Sequence, residues 1–223
     1  MNSSRTILLL SLSAILSGCN IIYESPPPVA DYYLNPDKDL SAIGRIVLVG
    51  LNNNSNYPQV STDVTNLLFQ ALQKKQLFGL SVMQQNHPHW RSLQLNPDAV
   101  FTLQQLSAMR KILKCDAVLT GTITEYQPYP HMLIGLRLKL VDLSDGQMLW
   151  AIEQVWDTAD KTTESRIKKY FHSQMRLGYA PLQEQLVVVS SLKFLKFVVY
   201  ETAETLQPDS QYSKPILLGL EMN

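Results

Sequence analysis

The chain switches between two apolar spacings, and each switch marks an element. Residues 46–49 are a continuous aliphatic run, the pattern of a strand buried on both faces. A polar loop, "NNNSNYP", follows. From Pro58 the period becomes helical. Val60, Val64, Leu67, Leu68, Ala71 and Leu72 share one face, with Ser61 or Thr62 available as N-cap. Residues 76–84, "QLFGLSVMQ", predict a helix exit and a second strand. Thr102 is placed to cap a second helix with the face Leu103, Leu106, Met109 or Arg110, and Leu113. A third strand is predicted over 115–127. A fourth covers 131–143, where Met132, Ile134, Leu136, Leu138 and Leu140 alternate with His131, Leu133, Gly135, Arg137 and Lys139. Asp145-Gly146 is a hairpin signal. The fifth strand, 148–158, puts Met148, Trp150, Ile152, Gln154 and Trp156 on one side.

The rest reads as helical. Residues 162–175 carry a Thr cap, acid early and bases late, which suits the helix dipole. Residues 180–206 predict a long helix with the face Leu182, Leu186, Val189, Leu192, Leu195 and Val199, although the β-branched run 187–189 also suits a strand. The order β-α-β-α-β-β-β-α-α predicts an α/β (α+β) fold, a mixed sheet of about five strands with helices packed on it.

The beginning of the chain follows another logic. Arg5 is its one charge before a short apolar run, 6–16. That run is too short for a bilayer, which takes roughly twenty residues. A charged start, a short apolar stretch and small residues describe a signal peptide. It ends Leu16-Ser17-Gly18-Cys19, which resembles the bacterial lipobox. The competing readings are an ordinary signal peptide or a buried helix with a stray cysteine. On the lipobox reading the chain is cut before Cys19, and Cys19 carries the lipid. Acyl chains contribute about 0.8 kcal/mol per buried methylene, so two or more hold a protein firmly. Asn20 rather than Asp follows Cys19, which implies the outer membrane by default, facing the periplasm. The expected organisation is a signal peptide (1–18), a lipidated, Pro-rich tether (19–43), one α/β domain (44–206) and a C-terminal tail (207–223).

Lys plus Arg and Asp plus Glu number 19 each, and losing Arg5 leaves the mature chain near neutral. That gives no electrostatic case for nucleic acid, where a basic stripe is expected. Two cysteines exist. With Cys19 lipidated, Cys115 has no intrachain partner and reads as a small buried residue. No later run is apolar enough for a transmembrane helix; 186–200 is broken by Ser190, Ser191, Lys193 and Lys196.

Catalytic signals are weak. The sequence holds no GxSxG, no HExxH and no glycine-rich phosphate loop. His87 and His89 could share a side of an extended segment, yet no Cys or acid lies close by in sequence. No cofactor and no metal are expected, and no catalytic residue is named. Two segments mix aromatic and basic residues on expected loops or helix ends: His89, Trp90 and Arg91, and Lys168, Lys169, Tyr170, Phe171, Arg176 and Tyr179. They are the candidate partner contacts, against the plainer reading of a solvated face.

Residues 115–123, "CDAVLTGTI", and 141–150, "VDLSDGQMLW", resemble two motifs of the curli-secretion-channel (CsgG) superfamily of bacterial lipoproteins. That group includes a penicillin-binding-protein activator (LpoB) and a ring component of Pel polysaccharide export (PelC). The resemblance covers about residues 44–157 and rests on Asp116, Gly121, Asp142, Asp145, Gly146 and Trp150. It implies architecture rather than catalysis. Gly121 suggests a bulge or close backbone approach, Asp145-Gly146 a turn, Trp150 core. The secretion channel adds long amphipathic hairpins that form a barrel. Here the loop between strands three and four is only "YQPYPH", which argues against a self-made pore. The resemblance implies a non-catalytic assembly or export scaffold, as a ring of like subunits or with an envelope protein partner. A monomeric activator of an envelope synthase is the alternative; a hydrolase lacks any motif.

Overall fold

The computed structural model describes residues 31–93, 95–96, 99–174 and 190–206. A mixed seven-stranded sheet runs through them. Its strands are β1 (Tyr32–Leu34), β2 (Arg45–Val49), β3 (Asn52–Asn53), β4 (Gly79–Met83), β5 (Ala117–Gln127), β6 (Leu133–Asp142) and β7 (Met148–Asp157). The helices are α1 (Gln59–Lys75), α2 (Pro88–Arg91), α3 (Leu103–Leu113), α4 (Lys161–Gln174) and α5 (Ser191–Glu204). The strand order is β1-β7-β6-β5-β2-β4, with β3 also on β5. Strands β4, β2 and β5 are parallel, and β5, β6, β7 and β1 antiparallel. Helices on the crossovers make the parallel half; hairpins make the antiparallel half.

The α/β class and the five predicted strands are present. Two short strands are additional. β1 lies within the stretch that reads from sequence as tether, and pairs Tyr32 with Ile152 and Leu34 with Trp150. β3 is a two-residue continuation of the β2 path along β5. Neither is long enough to show a period, so pattern reading passes over them.

Each face of the sheet has its own apolar layer. One buries Ile46, Leu48, Leu119, Leu136, Leu138, Trp150, Ile152 and Trp156 under α1, α4 and α5. The other buries Val47, Val49, Val118 and Val141 under α2 and α3, through Trp90, Leu106, Met109 and Leu113. The predicted α1 face is buried except at Ala71, which is half-buried. Its predicted caps are not caps. Helix α1 begins at Gln59, and Ser61 Oγ instead donates to Leu51 O at 2.5 Å. Thr65 Oγ1 accepts from Leu51 N at 3.1 Å. Both hydroxyls satisfy the backbone where β2 ends. Thr102 does cap α3, in a reciprocal capping box with Gln105, while Leu103 stands 76 % exposed rather than in the core.

Helix α4 is capped by Asp160, which accepts from Thr162 N at 3.2 Å and Thr163 N at 2.9 Å; the expected Thr cap is the donor. Of the predicted 180–206 helix, positions 180–189 fall outside the described residues; Ser190 is extended and the described helix runs from Ser191. Its buried face is Phe194, Leu195, Phe197, Val198 and Val199, and Leu192 is 51 % exposed. In β7 a register shift between Leu140 and Val141 turns Met148 outward and brings Leu149 into the core.

Candidate docking surfaces

The residues that carry the sequence resemblance are brought together as fasteners of the sheet. Asp116 opens β5. Its N–H donates to Arg45 O at 2.8 Å, its carbonyl accepts from Leu143 N at 2.8 Å, and its carboxylate accepts from Arg45 N at 2.8 Å. One residue thereby joins the start of β2 to the end of β6. Gly121 is a close approach rather than a bulge: a Cβ there would stand 2.2 Å from Arg137 O. The bulge lies downstream, between Ile123 and Glu125.

Asp142 and Asp145 frame the β6–β7 turn. Asp142 accepts from Ser144 N at 2.8 Å, and Asp145 from Gln147 N at 3.0 Å. Gly146, at φ +76°, sits where a side chain would be strained. Lys38 bridges both carboxylates, at 3.0 and 2.7 Å. Burial pushes Asp142 upward, but its bonds from Ser144 and Lys38 prevail and hold it below the usual range. Lys38 likewise holds Asp145 low. Trp150 is fully buried, with Nε1 donating to Thr205 Oγ1 at 3.0 Å. Cys115 is buried, and desolvation first, then Asp116, pushes its thiol up to about 11. At neutral pH it is protonated and a poor nucleophile.

The candidate contacts divide. His89 and Arg91 are exposed on α2, but Trp90, at 6 % exposure, anchors that helix in the second core layer. His87 caps α2 by accepting from His89 N at 3.3 Å. Lys168 and Lys169 are exposed, with Lys168 paired to Glu164 at 2.6 Å. Tyr170 and Phe171 are half-buried and pack against the larger core. Tyr170 also contacts Phe197 and Tyr200. These rings hold α4 on α5. Leu16, Ser17, Gly18, Cys19, Arg176 and Tyr179 lie outside the described residues.

Among the described residues, a surface that the contact residues chosen from sequence did not include is open. Among the described residues, helices α2 and α3 cover the β2–β5 part of their face and the end of β6. Beyond it, Arg137 and Lys139 of β6 and Ala151, Glu153 and Val155 of β7 point outward with Tyr33 of β1. Tyr33, Met148 and Val155 are 46, 41 and 45 % exposed. A shallow cavity of about 540 Å³ lies here. Arg137 donates to Glu153 at 2.5 Å, and Lys139 donates to Ala99 O at 2.6 Å beside the Phe101 ring. Thr120 Oγ1 is buried beneath without a hydrogen-bond partner. The signal was present in the sequence, in the odd positions of the β6 alternation. Alternation alone does not say whether a polar face meets water or a partner.

Among the described residues no group of three His, Cys, Asp or Glu side chains could hold a metal ion, and no helix is long and apolar enough to cross a membrane.

No family model matches the chain, and no curated protein matches it. Solved structures do. One is a PelC dodecamer from Paraburkholderia phytofirmans, at 12 % identity and TM-score 0.47, covering 79 % of this chain and 94 % of that one. Another is the LpoB C-terminal domain from Salmonella enterica, at 22 % identity and TM-score 0.37, covering 51 % and 82 %. A third is the lipoprotein GNA1162 from Neisseria meningitidis, at 14 % identity and TM-score 0.42, covering 60 % and 99 %. These are distant likenesses, and at such identities they concern the fold alone.

Proposed function

We propose that this chain is a lipid-anchored protein of the bacterial envelope that works by docking rather than by chemistry. Cys19, after Leu16-Ser17-Gly18, is the attachment point, and the protein faces the periplasm from the outer membrane. The folded domain is a scaffold component of an assembly or export machine, either in a ring of like subunits or against an envelope protein partner. The observation that carries the reading is the half of the second sheet face that, among the described residues, no helix covers. Tyr33, Met148 and Val155 expose apolar surface there, around the Arg137–Glu153 pair. Such a surface, apolar with a charged centre, suits a protein interface. His89 and Arg91 are exposed on α2, which packs on the same sheet face, whereas Lys168 and Lys169 stand on α4 over the opposite face.

Two measurements test this. Replacing Cys19→Ser should abolish lipidation and membrane retention; unchanged fractionation overturns the anchor. Native mass spectrometry of the detergent-extracted lipoprotein should show a closed oligomer or a stoichiometric partner complex. Val155→Asp with Arg137→Glu should dissociate either. A strict monomer at high concentration removes the ring. An assembly indifferent to both substitutions removes the sheet face as the docking surface.

A further inference from the structure

Residues 31–38 meet the sheet as a strap along β7. Among the described residues β1 pairs with β7 alone, over three residues, whereas β6 pairs with β7 along nearly the whole strand. Asn35 N donates to Leu149 O at 2.9 Å. Leu149 and Ala151 therefore face β1, and Trp150 and Ile152 face β6. By the same alternation Tyr33 and Ala151 exchange backbone hydrogen bonds. Tyr33 is exposed and, with Asp31, lines the shallow cavity beside Ala151 and Glu153, so the strap supplies one wall of the docking face.

The strap ends in an ionic latch. Asp142 Oδ1 accepts from Ser144 N at 2.8 Å and Asp145 Oδ1 from Gln147 N at 3.0 Å, so the β6–β7 turn itself fixes both carboxylates. Their Oδ2 atoms converge on Lys38 Nζ, at 3.0 and 2.7 Å. Lys38 is the one basic residue from 31 to 44, so nothing else in the strap can take its place. The residues after it are held in another way. Asp39 caps the short turn Leu40–Ala42, accepting from Ser41 N at 2.8 Å, and Leu40 is buried in the larger core. The root of the strap is therefore firm, while its body hangs on a short ladder, the Asn35 bonds and partly exposed ion pairs. Such pairs contribute little each and weaken in salt. Segments held this way open locally while the sheet stays folded. Tyr32 and Leu34 pack half-buried against the larger core, so the closed strap predominates.

We propose that residues 31–38 are a latched strap that gates the docking face. While Lys38 holds Asp142 and Asp145, β1 lies on β7 and Tyr33 completes the face. When the latch parts, the strap swings away from its root at Asp39 and the face loses that wall. The gating rests on the docking function proposed above; the latch stands without it. With Cys19 as the attachment point, a pull on the tether reaches the domain through this strap, so tension and docking oppose each other.

Hydrogen exchange and native mass spectrometry of the detergent-extracted lipoprotein test both parts. In Lys38→Gln the amides of Asn35 and Ala151 should exchange about fivefold faster than in wild type, while that of Ile152 keeps its rate. Lys38→Arg should keep the slow rates, and added salt should speed them in wild type but not in Lys38→Gln. Rates indifferent to Lys38→Gln, or an equal rise at Ile152, overturn the latch. Asn35→Pro with Lys38→Gln removes the Leu149 bond and the latch together. It should bring Ala151 to the rate of an unpaired amide, leave Val47 and Leu119 protected, and dissociate the assembly. An intact assembly with a released strap overturns the gating. If wild type forms no assembly, the docking function and the gating fall together, and the exchange rates still decide the latch.

Discussion

Two arginine–glutamate pairs stand on opposite faces of this sheet, and their surroundings give them different work. Under the helices, Arg166 of α4 meets Glu201 of α5 at 2.9 Å, with side chains 18 and 12 % exposed. Glu201 also accepts from Trp156 Nε1 at 2.7 Å. On the bare face Arg137 meets Glu153 at 2.5 Å, with side chains 50 and 63 % exposed. The first pair ties two helices to β7 and is largely withdrawn from water. The second stays hydrated, costs little to separate and is available to re-pair across an interface. Burial rather than pairing decides which is structural.

The largest effect should come from breaking the buried pair. Arg166→Met leaves Glu201 desolvated without its cation, and urea unfolding at neutral pH should show a loss of about 3 kcal/mol. Trp156→Phe keeps the ring and removes one donor to Glu201. The same titration should show about 1–2 kcal/mol.

The pairs should also respond to pH in opposite senses. Burial raises Glu201 above the ordinary 4.5, against the opposing influence of Trp156 and Arg166. The folded state therefore holds that proton more tightly than the unfolded chain. Its stabilising contribution is complete below 4.5 and is lost as pH rises through the folded value. Wild type should gain on Glu201→Gln as pH is lowered from neutral. Arg137 lowers Glu153, so that contribution is present above 4.5 and is lost as pH falls through the folded value. Glu153→Gln should lose its difference from wild type in acid. Parallel stability curves for the two variants would remove the contrast. The smallest effect belongs to Arg137→Ala, under about 1 kcal/mol in folding. A loss as large as that of Arg166→Met would make the open pair structural.

Much of the fold was legible because its long elements are strongly periodic. The α1 stripe, the β6 alternation and the Thr102 cap each announce themselves over adjacent residues. What escaped depends on distance. β1 is three residues long and exists because β7 lies beside it. Ser61 resembles a cap until Leu51 is placed next to it. Trp90, in an aromatic-basic string, looks like a contact residue, and its core position depends on α3 folding across the same face. The candidate surface was half legible: Arg137 and Lys139 stood out as the polar phase of an apolar strand.

From its own residues alone, the sequence determined the mixed α/β class and the periods and turns of its long elements. These depend on neighbours one to four positions apart, where backbone geometry translates spacing directly into a face. Only the tertiary structure decided which faces are covered. It buried Glu201, left Glu153 in water, placed Trp90 in a core and bared the β6–β7 surface. Those outcomes depend on which element lies across the sheet, and burial is a property of the assembled layers that no local spacing contains.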